Sequence, residues 1–202
     1  MAPRKKRQIL DATLELLAEK GYEGLTIEGV AGRSEVNKTT IYRWWPSKAA
    51  LLGAALVEAE ALDFEAPDTG SLAGDLRSLV DGVTRLLTVP PASDIAVAAL
   101  GAAVHDPALA DAAKGFFADR FARELPIFER ARERGEIDTS ADPMMIVDLL
   151  AGAVWLRVVF RQMPLDQDFT DRAVALVLHG VRSRSGRDSN HRKGRKARAL
   201  SE

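Results

Sequence analysis

Several kinds of functional site are excluded by what the 202-residue sequence lacks. It contains no cysteine, which rules out disulfide bonds and thiolate metal sites and fits a reducing cytosol. The three histidines, His105, His179 and His191, lack the short spacing of metal ligands. Neither a glycine-rich phosphate loop nor a serine nucleophile elbow is present. We therefore expect a protein that is not an enzyme and that uses no metal or cofactor.

Long hydrophobic runs are missing as well. The longest uninterrupted run lies between Asp94 and His105, about half of the ~20 residues that a membrane-spanning helix needs. The basic N-terminus leads into a charged amphipathic segment, Gln8 to Lys20, rather than into the apolar core of a signal peptide. With 47% hydrophobic residues the chain can still bury a sizeable core. We expect a soluble, cytoplasmic protein with no membrane partner.

Charge is nearly balanced overall, at −1, but it is distributed unevenly along the chain. Residues 1–52 carry a net charge of +3, residues 53–181 carry −10, and residues 182–202 carry +6. Basic ends can approach phosphate groups while an acidic middle repels them, so this pattern favours nucleic acid at one face of the molecule. A solvated surface that happens to be uneven is the alternative interpretation.

The segment from Thr26 to Lys48 has the pattern of two short helices joined by a tight turn. Thr26 is suited to cap the first helix and Asn37 the second, in which Ile41 and Trp45 lie one turn apart on one face. About three residues separate the helices, which is the spacing of a helix-turn-helix. In that motif the second helix enters the major groove of DNA.

Candidate DNA contacts lie in and around this second helix. Cations suit phosphates and guanine, and threonine offers a hydroxyl and a methyl group to base edges. Lys48, in the first turn of the following helix, opposes the helix dipole, and a phosphate partner would explain its position; a merely exposed lysine is the alternative. The predicted DNA contacts are Thr26, Lys38, Thr39, Thr40, Tyr42, Arg43, Trp44 and Lys48.

Four short elements follow one another here, and they are Gly21-Tyr22, Leu25-Thr26, Lys38-Thr39-Thr40-Ile41-Tyr42 and Trp45-Pro46-Ser47-Lys48. In order and spacing they resemble the DNA-binding domain of TetR-type bacterial transcriptional regulators. A weaker likeness to the regulatory half of that family continues at residues 134–136 and 151–157. The resemblance implies that Tyr42 contacts the DNA backbone. Glu35 departs from the family, which usually has glycine in the turn, and the departure costs roughly 1 kcal/mol.

Helical periodicity dominates the whole chain, with no convincing strand pattern, so we predict an all-α fold of about nine helices. The predicted helices are Arg4 to Lys20, the two of the motif, Lys48 to Leu62, a helix capped by Ser71 that ends before Pro90, Ser93 to Ala103, Asp106 to Arg134 with a bend or break near Pro126, Asp142 to Arg161, and Phe169 to Ser183. The predicted domains are residues 1–50 for DNA binding, with the motif at about 26–45, residues 51–184 for regulation and dimerisation, and a basic disordered tail at 185–202.

By resemblance, the second half holds a small-molecule pocket and a homodimer interface made by its last two helices. The eighth helix is apolar nearly all round from Met144 through Phe160, so it needs neighbours on several sides, either from a second subunit or from its own chain. The pocket candidates, each of which ordinary core packing would also explain, are Phe116, Phe117, Phe128, Met145, Trp155 and Arg157.

These patterns together predict a ligand-responsive transcriptional regulator, a repressor that binds a palindromic DNA operator as a dimer. An unknown small-molecule effector would act through the fourth helix on the spacing of the two recognition helices. The alternative is a small-molecule-binding or adaptor protein whose DNA-binding motif has decayed. The tail either adds sequence-independent attraction to DNA or is an inert solubilising end.

Overall fold

The computed structural model describes residues 3–59, 62 and 65–181, and the regular elements in these ranges are all helical. They confirm the predicted all-α fold. The elements are α1 (Pro3–Gly24), α2 (Ile27–Ser34), α3 (Lys38–Trp44), α4 (Lys48–Val57), α5 (Leu72–Thr88), α6 (Ala92–Ala103), α7 (Pro107–Glu133), α8 (Pro143–Trp155), a π-helical turn (Leu156–Phe160) that continues α8, and α9 (Phe169–Val181).

A first hydrophobic core contains side chains from all four N-terminal helices, α1, α2, α3 and α4. α4 contributes Leu51 and Leu52, while α6 and α7 add Ile95, Ala99 and Leu109, so the N-terminal helices rest on the second half of the chain. On α1 the buried large aliphatic residues are Ile9, Leu10, Leu14, Leu16 and Leu17. Burying aliphatic side chains of this kind stabilises the fold by about 1.5–3 kcal/mol each.

Local capping signals set most helix starts as predicted. Ser47 Oγ accepts a hydrogen bond from Ala50 N at 3.1 Å, and Ser71 Oγ accepts one from Gly74 N at 3.2 Å. Asp142 Oδ1 accepts from Met144 N at 2.9 Å. Each cap satisfies an amide that has no partner within its own helix. Ser93 was predicted to begin α6, but the helix begins at Ala92 directly after two prolines and has no side-chain cap.

Several helix ends differ from the prediction. α1 continues one turn beyond Gly21, where φ of 65° and ψ of −179° interrupt the helical backbone. α4 ends at Val57 rather than at Leu62, and Glu58, which follows it, has non-helical geometry with φ of −97° and ψ of 4°. α8 passes into the π-helical turn before Arg161. α9 is described as far as Val181, and the predicted tail at 185–202 lies outside the described residues.

α7 is continuous through Pro126, where a bend or break was predicted. A proline inside a helix removes one hydrogen bond and costs about 3 kcal/mol. The neighbouring Ile127, Phe128 and Ala131 are completely buried, and their packing offsets this cost. Gly135, with φ of 70°, follows the C-cap residue Arg134, close to the predicted end of this helix.

A second core lies between α5, α8, α9 and the C-terminal part of α7. At its edge the carboxylate of Asp75 is fully buried, and its Oδ1 accepts hydrogen bonds from the amide and hydroxyl of Thr69 at 2.7 and 2.8 Å. Its Oδ2 lies 3.9 Å from the guanidinium groups of Arg130 and Arg134. These contacts fasten the segment before α5 to the end of α7.

α4 and α7 approach each other closely at Gly53. A Cβ atom added to Gly53 would lie 2.7 Å from the Cβ of Ala112, which is too close for any larger residue without displacement of a helix. This contact fixes the point at which the helix leading out of the N-terminal core touches the second half.

Candidate nucleic-acid interface

The turn between α2 and α3 is held by backbone and side-chain hydrogen bonds. Thr26 Oγ1 accepts from Gly29 N at 3.0 Å, and Asn37 Oδ1 accepts from Thr39 N at 2.9 Å. Both predicted caps are therefore present. Between them Glu35 has left-handed geometry, φ 53° and ψ 32°, and its N–H donates to the carbonyl of Ala31. The strained turn predicted at this non-glycine position is present.

α3 is anchored on one face and open on the other. Ile41 is completely buried and Trp45, just after the helix, is nearly so. Tyr42 and Trp44 are 46% and 50% exposed. This matches the prediction that Trp45 belongs to the core while the other two aromatics point elsewhere. The exposed face of α3 therefore presents aromatic rings beside the polar chains of Thr39 and Arg43.

Charges around α3 differ in how far they are already paired. Lys38 lies 3.7 Å from Glu28, with both side chains largely exposed, so the pair is weak. On α2, Arg33 donates two hydrogen bonds to Glu19, at 2.6 and 2.7 Å, which lowers the pKa of the Glu19 carboxyl. Arg43 has no carboxylate partner among the residues that the structure describes. Arg43 is therefore available to an external anion without the loss of an ion pair, whereas Lys38 would first have to leave a weak one.

Lys48 occupies an environment that the sequence did not suggest. Its Nζ donates to the carbonyl oxygen of Tyr22 at 2.8 Å and lies 3.9 Å from the centre of the Tyr22 ring. A carbonyl and a ring face both attract a cation, so a phosphate is not needed to explain why a lysine begins α4. Its predicted contact with phosphate stays a prediction, and two of its three ammonium protons remain for such a contact.

Tyr22 also reaches the second half of the molecule. Its hydroxyl donates to Asp106 Oδ2 at 2.6 Å. Burial and this carboxylate together raise the pKa of Tyr22 well above its usual value. The hydrogen bond from Tyr22, followed by those from the backbone of α7, lowers the pKa of Asp106. Tyr22 was noted only as part of the Gly21-Tyr22 element, because its partner lies far away in sequence.

The predicted pocket residues are not brought together. Phe128 is buried in the second core, whereas Met145 is exposed on α8. Phe116 packs against the first core and meets Phe117 edge to face, with ring centres 5.5 Å apart. The last two candidates, Trp155 and Arg157, are half-buried near the second core, with the Arg157 guanidinium 5.1 Å from the ring of Phe169. The six residues are thus divided between positions in or beside the two cores and the exposed surface of α8, and their ligand-binding role stays a prediction.

α8 and the π-helical turn leave a broad apolar surface uncovered. One face, with Ile146, Leu150 and Val154, packs into the second core. The segment Pro143–Phe160 has a mean hydropathy of 1.8, so by length and composition alone it could cross a membrane. Only 17% of this segment is buried inside the protein. Asp148 and Arg157 interrupt the segment, so it does not form one uninterrupted apolar run in the sequence. The exposed apolar residues, here called the α8 face, are Met144, Met145, Leu149, Leu156, Phe160 and, on α9, Leu176.

Comparisons with known proteins match both halves of the chain. Residues 9–55 fit the family model for bacterial regulatory proteins of the tetR family, and residues 66–177 fit the model for the tetracyclin repressor-like C-terminal domain. The chain is 35% identical over 175 residues to the helix-turn-helix transcriptional regulator Rv1556 of Mycobacterium tuberculosis, covering 86% of each protein. It is 32% identical over 173 residues to the DNA-binding transcriptional repressor TetR of Mycobacteroides abscessus, covering 84% of this chain and 90% of that one.

A solved structure agrees with these matches. The crystal structure of the TetR family transcription regulator SCO0332 superposes with a TM-score of 0.72 at 37% sequence identity. The superposition covers 89% of this chain and 100% of the other. The likeness therefore includes both the N-terminal helices and the second half.

Proposed function

We propose that this chain, which belongs to the TetR family of bacterial transcriptional regulators, is a ligand-responsive repressor that binds a palindromic operator as a homodimer through the open face of α3. The observation that carries this proposal is the arrangement of α3 itself. Its apolar face is locked into the first core by Ile41, its start is capped by Asn37, and its other face carries hydroxyl, aromatic and cationic groups. A rigid helix with these groups suits the major groove.

The exposed side chains around α3 fall into two groups, those suited to contact base edges and those suited to contact the DNA backbone. Thr39 and Thr40 lie in the first turn of α3, where side chains of a recognition helix meet base edges. Arg43, Tyr42 and Trp44 lie further along the helix and suit phosphate and sugar. Thr26 uses its oxygen as the acceptor that caps α2, which leaves its hydroxyl proton free to donate to a phosphate. Lys38 would exchange its weak pairing with Glu28 for a phosphate.

The α8 face is proposed as the dimer interface, together with α9. Exposed apolar surface of this kind is removed from water most simply by the same surface of a second copy. Lipid is a poor partner, since Asp148 is exposed on α8 and a carboxylate within a bilayer is costly. The family consists of soluble DNA-binding proteins, and we propose that this chain is cytoplasmic.

Regulation would follow the division of the chain. We assign DNA binding to residues 1–50 and effector binding and dimerisation to residues 51–184, with α4 between them. Recognition helices of a dimer must match successive major grooves about 34 to 36 Å apart. An unidentified small molecule that fills the second half would shift α4, change that separation and release the operator.

Selection of bound fragments from random or genomic duplexes tests the function directly. The wild-type protein should enrich one two-fold symmetric sequence. Arg43→Ala should lose most of this enrichment, while Arg85→Ala, an equal change of charge at an exposed position on α5, should retain it. A folded wild-type protein that enriches no sequence would instead favour the adaptor with a decayed DNA-binding motif.

A further inference from the structure

Tyr22 connects three elements that belong to different parts of the molecule. Its ring and carbonyl hold Lys48 at the start of α4, at 3.9 and 2.8 Å, and its hydroxyl holds Asp106 before α7 at 2.6 Å. Tyr22 itself lies in the last turn of α1, directly after the backbone break at Gly21. One side chain therefore spans from the corner between α3 and α4 to the corner between α6 and α7.

The two carboxylate oxygens of Asp106 bind different partners, one the start of α7 and the other Tyr22. Oδ1 caps α7 by accepting from Ala108 N at 2.9 Å and Leu109 N at 3.2 Å. Oδ2 accepts from the Tyr22 hydroxyl. A displacement of the start of α7 must therefore lengthen the bond to Tyr22 or carry Tyr22 with it.

Apolar packing surrounds this contact on one side and an open cleft on the other. Ile95 and Ala99, in the first half of α6, are buried in the first core. Tyr22 and, near the end of α6, Ala102 and Ala103 also pack against this core. Beside them lies an open cleft of about 660 Å³, with Glu23, His105 and Pro107 among its walls. The Tyr22 hydroxyl adds a directional hydrogen bond to Asp106 beside these apolar contacts.

We propose that Tyr22 is a positioning residue that couples the α6–α7 corner to DNA docking through Lys48. The inference rests on the proposed function, in which the surface around α3 and the start of α4 binds DNA. Coupling between two sites is reciprocal in free energy. If the effector acts on DNA binding by this route, DNA bound at Lys48 must therefore change the stability of the start of α7 around Asp106. Operator DNA can thus replace the unidentified effector as the probe.

Three variants of the full-length protein isolate the link. Tyr22→Phe keeps the ring and carbonyl that hold Lys48 and removes only the hydroxyl that reaches Asp106. Asp106→Ser keeps a good helix cap but is too short to reach Tyr22. Thr170→Val is the matched control, because it removes another hydroxyl-to-carboxylate hydrogen bond, 3.0 Å to Asp81, between α5 and α9.

Amide hydrogen exchange at Ala108, Leu109 and Ala110 is measured with and without the duplex enriched in the selection above. In the wild type and in Thr170→Val, DNA should slow this exchange at least about fivefold, the lower end of typical couplings. In Tyr22→Phe and Asp106→Ser the change should fall below about twofold. Affinity of Tyr22→Phe for the duplex should stay within about threefold of wild type, since both Lys48 contacts persist.

The outcomes separate this inference from the function on which it rests. If DNA changes these amides equally in wild type and Tyr22→Phe, or in neither, the coupling role of Tyr22 is wrong while DNA binding stands. If Thr170→Val also loses the response, the effect is general loosening and the assignment is overturned. A wild-type protein that binds no duplex overturns both proposals.

Discussion

The open face of α3 and the α8 face, both in the described part of the chain, differ in chemistry. The open face of α3 mixes threonine hydroxyls, a free guanidinium and two half-exposed aromatic rings. The α8 face consists almost entirely of methionine, leucine and phenylalanine side chains. Water solvates the first surface well, whereas each 100 Å² of the second costs about 2.5 kcal/mol to leave exposed. This difference supports the proposal that α3 meets a charged partner transiently and that a second copy of the chain covers the α8 face.

The largest effect is expected when a charge is placed in the α8 face. Leu149→Arg should convert the dimer into a monomer, and operator affinity should fall by about 100-fold or more, because each half-site is then bound separately. Light scattering and a DNA titration measure the two changes. Val97→Arg, at an exposed apolar position on α6, is the control and should remain dimeric. A Leu149→Arg protein that stays dimeric would show that the α8 face is not the interface.

The α3 face should respond in two distinguishable ways. Tyr42→Ala removes a proposed backbone contact and should weaken binding to every duplex by about tenfold. Thr40→Ala removes a proposed base contact and should instead relax the preference at one operator position, by about 1–3 kcal/mol. Binding to a panel of single-base operator variants separates these patterns. Equal losses across the panel for both variants would contradict the division into positioning and specifying residues.

The turn before α3 gives a smaller and purely local effect. Glu35→Gly should raise the free energy of unfolding by about 1 kcal/mol, because glycine adopts φ of 53° without the steric penalty of a side chain. Thermal unfolding measures it. Glu35→Gln keeps the strain and removes the charge, so it should bind DNA more tightly without the gain in stability. If Gln stabilises as much as Gly, charge repulsion rather than backbone strain is the cause.

The smallest effect concerns a buried carboxyl group in the second half. Burial raises the pKa of Glu124, more than the nearby Arg120 lowers it, and its Oε2 has no hydrogen-bond partner. A pKa higher in the folded state than in the unfolded state means that the folded protein binds the proton more strongly. Stability from this group therefore falls as pH rises through its folded pKa.

Glu124→Gln cannot ionise and should not show that dependence. The difference in unfolding free energy between Gln and wild type should shift in favour of Gln as pH rises from about 4 to 7. Chemical denaturation at several pH values provides the comparison. A constant difference over this range would show that Arg120 fully compensates the buried charge.

The DNA-binding end was predictable residue by residue because its signals are local. Thr26 and Asn37 each cap the helix that follows within three residues, and the spacing of Ile41 and Trp45 determines which side chains are left outside. The strain at Glu35 was expected from the family resemblance, since the family usually has glycine at this place in the turn. Neighbouring residues alone suffice to set these features.

The second half was predictable as helices but not as a site. Tyr22 and Asp106 are 84 positions apart, so their hydrogen bond depends on how the two halves pack. The α8 face could be recognised as apolar, yet which part of it would stay uncovered depends on where α5 and α9 lie. The aromatic residues nominated for a pocket became dispersed for the same reason, since helical spacing does not specify the opposite wall of a cavity.

The close contact between Gly53 and Ala112 has a mechanical consequence for α4. At Gly53, α4 cannot move closer to α7, so this position is the point about which α4 can tilt. At 1.5 Å per residue the two arms, to Lys48 and to Val57, are about 7.5 and 6 Å long. A tilt of α4 about this point therefore moves its two ends in opposite directions by similar amounts. If α3 is to move farther than the end of α4 at Lys48, the additional displacement must come from the distance between Lys48 and the far end of α3.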